Sequence, residues 1–221
     1  MNRGRPSRPY DPTAPNDPEV EAAFAAAPEY MVAEILDGEL FTMSRPRPAH
    51  ARSTTNLLGD LHGPFDRGGP RGPGGWTFLI EPELHLGPKP DKVIPDIAGW
   101  HRDRLPGAAL AEGAPAGMLI RPDWVCEVIS PSTERIDRGK KMRIYRREGV
   151  GHVWLLSPSS QTLEVYRLER ERWVLVETYE GNEEVHAEPF DAIPLALSGL
   201  WPSPVSPPGD AGSDPAPQPP R

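Results

Sequence analysis

The chain has 221 residues, of which 30 are proline and 21 are glycine, and its formal net charge is −8. This acidic balance argues against a protein that coats nucleic acid with a broad basic surface, although it is compatible with a local basic cleft. The single cysteine, Cys126, excludes an intrachain disulfide and a zinc site built from several cysteines. No apolar run approaches the roughly 18 residues of a membrane-spanning helix, and no apolar signal segment follows the N-terminus, so we expect a cytoplasmic protein.

Proline is concentrated at the two ends of the chain. Five prolines fall in residues 1–18 and eight in residues 202–221. A proline-rich segment with few apolar residues buries too little surface to offset the loss of chain entropy on folding. We therefore predict disordered tails over 1–18 and 202–221, and one folded domain over 19–201.

A hairpin is the clearest prediction in the first half of the domain. Two apolar runs, 30–36 and 39–43, flank Asp37 and Gly38, a pair typical of a tight β-hairpin turn. Around the hairpin, composition and leucine spacing predict helices over 19–29 and 50–61, and a loop over the Gly- and Pro-rich residues 63–75.

The sequence of the second half of the domain predicts a sheet with a crossover helix. Apolar runs predict strands over 76–80, 93–100, 124–130, 153–157, 163–168 and 173–178. The polar segment 133–148 has helical length, and Ser132 or Thr133 can cap it. Because this helix connects two strands of one sheet, the sheet is expected to be mixed parallel and antiparallel.

Two carboxylates interrupt predicted apolar strands. Asp96 follows Pro95 near the start of one strand, and Glu127 lies within a run of Trp, Val, Cys and Ile in the next. A buried carboxylate is costly unless it is paired or bound to a metal ion. Two such groups can hold a hard divalent cation, which prefers oxygen ligands. A turn or cap for Asp96, and an edge position or an arginine partner for Glu127, are the structural alternatives.

The helix after Glu127 places further polar groups on one face. Asp137, Lys141 and Tyr145 are four residues apart, so their side chains point in similar directions. Lys140 points about 100° away from Lys141, toward solvent. A lysine near a metal-bound phosphate can offset the charge that develops during hydrolysis. An exposed ion pair between Asp137 and Lys141 is the structural alternative.

Seven short motifs of the domain match those of one known family: residues 33–39, His50, 93–97, 127–133, 137–141, Tyr145 and 149–155. Over about residues 29–200 the chain resembles the Uma-type putative restriction endonuclease family, a bacterial group of the PD-(D/E)XK nuclease superfamily. The resemblance implies an α/β fold with a mixed sheet, a restriction-endonuclease-like core and flanking helices. It also implies that Asp96 and Glu127 bind Mg²⁺, for which Mn²⁺ can substitute. Where the superfamily signature has lysine, this chain has Ile129, and Lys141 matches a lysine displaced to the following helix.

The implied function is that of a Mg²⁺-dependent endonuclease hydrolysing phosphodiester bonds of nucleic acid, foremost DNA. Its catalytic residues would be Asp96, Glu127 and Lys141. The absence of lysine at position 129 leaves an alternative, a catalytically inactive nuclease-fold module that binds nucleic acid or a protein partner. A hydrolase of another phosphate ester would use the same metal chemistry. A homodimer would supply the two sites needed to cut both strands of a duplex.

Further residues are candidates for supporting roles. The accessory candidates at the site are Glu34, His50, Glu83, Asp137 and Tyr145. Cations on the predicted helix are candidates for contact with nucleic-acid phosphates: Arg138, Lys140, Arg143 and Arg147. A solvated helix face is the alternative for these cations, and packing is the alternative for Tyr145. The tryptophans fit strand packing, so the sequence predicts no platform for stacking nucleobases.

Overall fold

The computed structural model describes residues 15–69, 72–88 and 90–202, and it has a mixed α/β fold built around two main sheets. The helices are α1 (Pro18–Ala25), α2 (Pro48–Leu61), α3 (Glu134–Ile136) and α4 (Met142–Arg147), with π-helical turns at His62–Arg67 and Asp137–Lys141. The strands are β1 (Met31–Leu36), β2 (Glu39–Ser44), β3 (Trp76–Ile80), β4 (Leu84–Leu86), β5 (Asp91–Val93), β6 (Ile97–His101), β7 (Trp124–Val128), β8 (His152–Ser157), β9 (Thr162–Glu169), β10 (Arg172–Glu180), β11 (Glu184–Val185) and β12 (Leu195–Ala196). Short 3-10 turns lie at Arg102–Arg104, Gly107–Leu110 and Leu197–Gly199. Among the described residues, no helix is long and apolar enough to cross a membrane.

The predicted hairpin is confirmed as β1 and β2. These strands pair antiparallel up to Leu36 opposite Glu39, which leaves a two-residue turn. Asp37 and Gly38 both have positive φ, 52° and 74°. Two left-handed residues give the turn a twist that matches the twist of the strands, which is why Asp-Gly favours this hairpin. The hairpin forms one side of a four-stranded antiparallel sheet in the order β2-β1-β5-β4.

The larger sheet has six strands in the order β10-β9-β8-β7-β6-β3. Its neighbouring strands are antiparallel except β7 and β8, which are parallel and are connected by the helical segment α3, π turn and α4. The crossover predicted from the sequence is therefore confirmed, and so is the mixed sheet. Thr133 occupies the N-cap position, but its side chain makes no capping hydrogen bond.

Side chains of β7 alternate between the two faces of this sheet. Trp124, Cys126 and Val128 belong to the apolar core shared with α2 and the C-terminal segment, and Trp154 and Phe190 meet Trp124 edge-on there. Val125 lies on the opposite face, within the core that includes the inner side of α4. Because Glu127 is two residues beyond Val125, it too points toward α4.

The single strand predicted over 93–100 is wrong. The chain pairs in the small sheet up to Val93, leaves it, and enters the large sheet at Ile97. Pro95 has no backbone N–H to donate to a ladder, so pairing is interrupted at this point. Asp96 therefore lies where the chain passes from one sheet to the other.

The loop predicted over 63–75 is also partly wrong. Helix α2 continues into a π turn, His62–Arg67, and buries Phe65 against the ring of Phe190, 4.9 Å away between centroids. Burial of this aromatic ring outweighs the local preference of Gly63 and Pro64 for a loop. The short strand β4 was not predicted, since three residues are too few for a periodic pattern.

The folded part of the chain begins before the predicted boundary at residue 18. Asp17 caps α1 by accepting a hydrogen bond from the N–H of Glu19, at 2.9 Å. Asn16 is buried and donates to the carbonyl of Pro90 at 3.0 Å. Helix α1 ends at Ala25 rather than at residue 29. Residues 1–14 and 203–221, which make up most of the predicted tails, lie outside the described residues.

Candidate active site

Lys141 lies at the centre of a buried cluster of carboxylates. Its side chain is only 4 % exposed, and its Nζ lies 3.1 Å from Oε1 of Glu34, 3.2 Å from Oε2 of Glu127 and 3.5 Å from Oδ1 of Asp137. The predicted inward direction of Lys141 is therefore confirmed. Ile129, at the position where the superfamily signature has lysine, is buried among apolar side chains. Lys141 on the crossover helix and Glu127 on β7, which the sequence analysis placed in one site, are thus in contact.

The break between the two sheets is held in place by side chains. Where Ile94 leaves the strand ladder, its N–H donates to Oε1 of Glu34 at 2.7 Å, and its carbonyl accepts from Nζ of Lys141 at 3.1 Å. A buried backbone group without a ladder partner needs such a substitute. Glu34 and Lys141 therefore fix the segment that carries Asp96, and Glu34 is part of the site rather than an exposed strand residue.

Asp96 is oriented by two hydrogen-bond donors. Its Oδ2 accepts from the N–H of Val128 at 2.6 Å, and its Oδ1 lies 3.2 Å from Nε2 of His50. His50 lies in the first turn of α2, so this helix supports the site from the side opposite α4. His50 and Asp96 line the same cavity.

Tyr145 forms a hydrogen bond with the carboxylate of Glu127. The ring is fully buried, and its hydroxyl donates to Oε1 of Glu127 at 2.5 Å. The structure therefore combines the two roles considered for Tyr145, since the ring packs in the core and the hydroxyl contacts a site carboxylate. With Lys141 on one oxygen and Tyr145 on the other, Glu127 is held in a single orientation.

Charge balance in the cluster explains how its groups titrate. Burial lowers the pKa of Lys141, but the charges of Glu127, Glu34 and Asp137 outweigh it and hold this pKa well above its usual value. Burial raises the pKa of Glu127 well above its usual value, although Lys141 acts in the opposite direction. Burial likewise raises the pKa values of Glu34 and Asp137. One ammonium group does not neutralise three neighbouring carboxylates, so the cluster has an excess of negative charge.

Burial and the Asp96 carboxylate shift the pKa of His50 in opposite directions. Desolvation lowers its pKa, but the hydrogen bond to Asp96 and the charge of this carboxylate outweigh burial, so the net effect is a raised pKa. Its Nδ1 atom is buried and has no hydrogen-bond partner within the described residues.

A cavity of about 290 Å³ opens onto this cluster. Its polar floor is formed by Asp96, Glu127, Asp137 and Lys141. One wall comes from the hairpin and the segment after it, and the other from the turn 130–133 before α3. The sequence analysis missed three charged residues that line it: Arg45, Arg47 and Glu81. No periodic or motif signal distinguishes them, because they come together only through the loops between elements. Ser130 and Ser132 also line the cavity, and they belong to the motif 127–133, which the sequence analysis quoted without giving them a place at the site.

Two groups of predicted residues lie elsewhere. Glu83 pairs with Nε2 of His85 at 2.6 Å and does not line the cavity, so it is not brought to the site. The helix cations predicted to contact phosphates do not line the cavity either. They pair with carboxylates instead: Arg138 with Glu134 and Glu164, Lys140 with Glu39, and Arg143 and Arg147 with Asp37.

The donor set of the floor fits a hard divalent cation. Glu127 supplies carboxylate oxygens from β7, and Asp96 supplies them from the segment just before the neighbouring strand β6. Each oxygen has a second lone pair beyond the contacts described. Oε2 of Glu34 is buried without a hydrogen-bond partner within the described residues, a further sign of uncompensated negative charge. Within the described part of the chain, no three His, Cys, Asp or Glu side chains are arranged as a complete ligand set. Water would therefore complete the coordination, as Mg²⁺ usually requires.

The mixed sheet, its crossover helix and the carboxylate–lysine floor define a protein of the restriction-endonuclease-like fold. The chain belongs to the Uma2 family, described as "Putative restriction endonuclease", whose family model matches residues 23–198. A crystal structure of a putative nuclease belonging to DUF820 from Anabaena variabilis ATCC 29413 is similar to this chain with a TM-score of 0.64. The two are 22 % identical, and the match covers 80 % of this chain and 94 % of the other. A comparison with curated proteins gives no match. The predicted family and fold class are thereby confirmed.

Proposed function

We propose that this protein is a Mg²⁺-dependent nuclease that hydrolyses phosphodiester bonds in DNA. The observation that carries the proposal is the position of Lys141. A lysine from the crossover helix reaches within 3.2 Å of the Glu127 carboxylate and contacts the carbonyl next to Pro95. The chain thereby supplies, from another element, the cation that the superfamily signature has at position 129.

Three of the four floor residues have a direct role in this proposal. Asp96 and Glu127 would hold the metal ion, which when bound activates a water molecule and offsets charge on the phosphate. Lys141 would orient that water and stabilise the negative charge of the transition state. The water oxygen gives up one proton as it forms a bond to phosphorus. The bond to the leaving ester oxygen breaks, and that oxygen takes up one proton, so protons are conserved. Tyr145 and His50 act as positioning residues, since each contacts a proposed ligand from outside.

A non-cleaving binding module is the second candidate, and one observation favours it. Both oxygens of Glu127 already contact protein donors, Lys141 and Tyr145, and Lys141 is balanced by carboxylates without any metal ion. A protein that no longer cleaves nucleic acid would keep the contacts of Glu127 with Lys141 and Tyr145 for their structural role alone.

Metal binding and DNA cleavage separate the two candidates. We would measure the melting temperature with Mg²⁺, Mn²⁺ or EDTA, together with nicking of supercoiled plasmid DNA. A ligand that binds only the folded state raises the melting temperature by mass action. The proposal predicts a metal-dependent rise and nicking in the wild type, and loss of both in Asp96→Asn. Glu83→Gln, outside the cavity, is the matched control and should behave like the wild type. Absence of metal binding at millimolar concentrations, with or without DNA, would contradict the proposal.

A further inference from the structure

An exposed aromatic side chain lies in the turn that leads into the wall of the cavity. Tyr30 is 74 % exposed, the largest exposure among the large apolar residues of the described chain. It belongs to the turn before β1, in which the N–H of Met31 donates to the carbonyl of Pro28 at 2.9 Å. Val32, two residues further along the chain, lines the cavity, and Glu34 contacts Lys141 at its floor. The strand that Tyr30 precedes therefore leads to the candidate active site.

A cation of the cavity lining contacts the same turn. Arg45 follows Ser44, the partner of Met31 at the end of the strand ladder, and it lines the cavity. Nη2 of Arg45 donates to the carbonyl of Glu29 at 2.9 Å, which holds the guanidinium next to the tyrosine. Arg47, two residues further on, lines the cavity, is exposed, and makes no ion pair within the described residues. Arg45 also pairs with Glu81, another lining residue, at 3.5 Å, so Arg47 is the cation of the rim that is left available for a phosphate.

The walls between rim and floor are largely apolar. They include Val32, Met43, Pro46, Ile94 and Pro131. The cavity, at about 290 Å³, has the size of a pocket for a small ligand rather than of a groove for a helix. A phosphate alone does not need apolar walls. A nucleotide whose base is unpaired presents both a phosphate and an apolar ring, whereas in a duplex the ring faces are covered by stacking.

From these features we infer that the site takes single-stranded nucleic acid, with one unpaired base stacked on Tyr30. Arg47 contacts a backbone phosphate at the rim, and the next nucleotide enters the cavity toward Asp96 and Lys141. Aromatic rings beside a basic track are the usual means of binding single strands without sequence preference. This inference rests on the proposed function and adds the substrate class. It also makes a second active site unnecessary, because only one strand is cut.

The first test compares binding of one labelled 12-nucleotide DNA as a single strand and as a duplex with its complement. Fluorescence anisotropy would be measured on the full chain in EDTA and again in Ca²⁺. We expect the single strand to bind at least about tenfold more tightly. Equal or tighter binding of the duplex would overturn the inference, and so would absence of binding to either form. Plasmid nicking without a single-strand preference would overturn only this inference, whereas single-strand binding without cleavage would overturn only the nuclease activity.

The second test uses variants at the rim. Tyr30→Ala should weaken single-strand binding by about 5- to 150-fold, the range expected for one stacked base, and Tyr30→Phe should retain it. Arg47→Ala should lower the slope of log K against log salt by about 0.7, the value for one phosphate contact with a single strand. Arg52→Ala, an exposed cation of α2 that does not line the cavity, is the matched control and should leave the slope unchanged. Wild-type binding by Tyr30→Ala, or an equal effect of the two arginine changes, would overturn the inference.

Discussion

Two adjacent lysines differ in role because of one step of helix rotation. Lys141 is 4 % exposed among three carboxylates, whereas Lys140 is 25 % exposed and pairs with Glu39, itself 62 % exposed. Breaking a buried ion pair leaves uncompensated charge, at a cost of about 3–5 kcal/mol, whereas an exposed pair contributes about 0–1 kcal/mol. We expect the two lysines to differ in the same way in their effect on the rate of DNA cleavage.

We predict that Lys141→Ala lowers the cleavage rate at least about 100-fold while DNA binding persists, because a cation near the reacting phosphate acts mainly in the transition state. Lys140→Ala should keep the rate within about twofold and lose at most about 1 kcal/mol of stability. Single-turnover cleavage and DNA-binding titrations would be measured on the same preparations, with circular dichroism to establish folding. If the two variants behaved in the reverse order, Lys141 would not be the catalytic cation.

The carboxylate cluster also predicts a pH dependence. The pKa values of Glu34, Glu127 and Asp137 are raised by burial and lowered by Lys141, so replacing the lysine raises them further. A carboxyl group with a raised pKa in the folded state favours the fold when protonated. That contribution is fully present below its ordinary pKa, near 4.5, and is lost as pH rises through the raised value.

We therefore expect Lys141→Met in EDTA to be less stable than the wild type by an amount that grows as pH rises from about 5 to about 8. Melting temperatures of both proteins across this range would give the difference directly. Lys140→Met is the matched control, and its difference from the wild type should stay small and nearly constant. A deficit of Lys141→Met that did not change with pH would show that these carboxylates do not take up protons.

At the scale of elements, the crossover helix combines regular and wider turns. The sequence predicts one helix over 133–148, and the structure has α3, a π turn at Asp137–Lys141 and α4. A π turn adds a residue to one turn of the helix and so changes the direction of the side chains after it. Gly139 lies within this turn, and a Cβ added there would meet no atom within 4 Å.

Gly139→Ala should stabilise the protein by about 0.5–1 kcal/mol, because alanine loses less backbone entropy than glycine in a helix. Cleavage should stay unchanged if the π turn is fixed by the contacts of Lys141 and Asp137. Chemical denaturation and cleavage assays would be run in parallel. Loss of cleavage together with a gain in stability would show instead that alanine converts the turn to α-helix and moves Lys141.

At the scale of the whole molecule, the N-terminal boundary of the fold can be tested by truncation. A chain of residues 15–202 should keep the melting temperature of the full chain, since proline-rich ends contribute little burial. A chain starting at residue 19 loses the cap of Asp17 and the hydrogen bonds of Asn16. It should be less stable by about 1–3 kcal/mol, the sum expected for a helix cap and a buried polar contact. Equal melting temperatures of the two truncated chains would contradict the structural role of these residues.

Strong local signals in the sequence predict several of the elements and the residue types of the floor. Asp-Gly fixed the hairpin, because few other pairs accept two left-handed residues, and helical phase separated Lys141 from Lys140. A carboxylate within an apolar strand singled out Glu127, since burial of a charge is costly enough to require a partner. The same reasoning singled out Asp96, although it lies between two strands and is only half-buried.

The way in which these elements meet depends on contacts between residues that are distant in sequence. The break at Pro95 carries Asp96 between two sheets, and Glu34 and Lys141 bind the freed backbone there, which no local pattern encodes. The cations on the crossover helix form ion pairs with carboxylates distant in sequence, such as Glu164 and Glu39. The cations at the rim of the cavity come instead from the segment after β2. Contacts of this kind depend on how loops bring distant residues together, and the periodicity of a sequence carries information only about neighbours along one element.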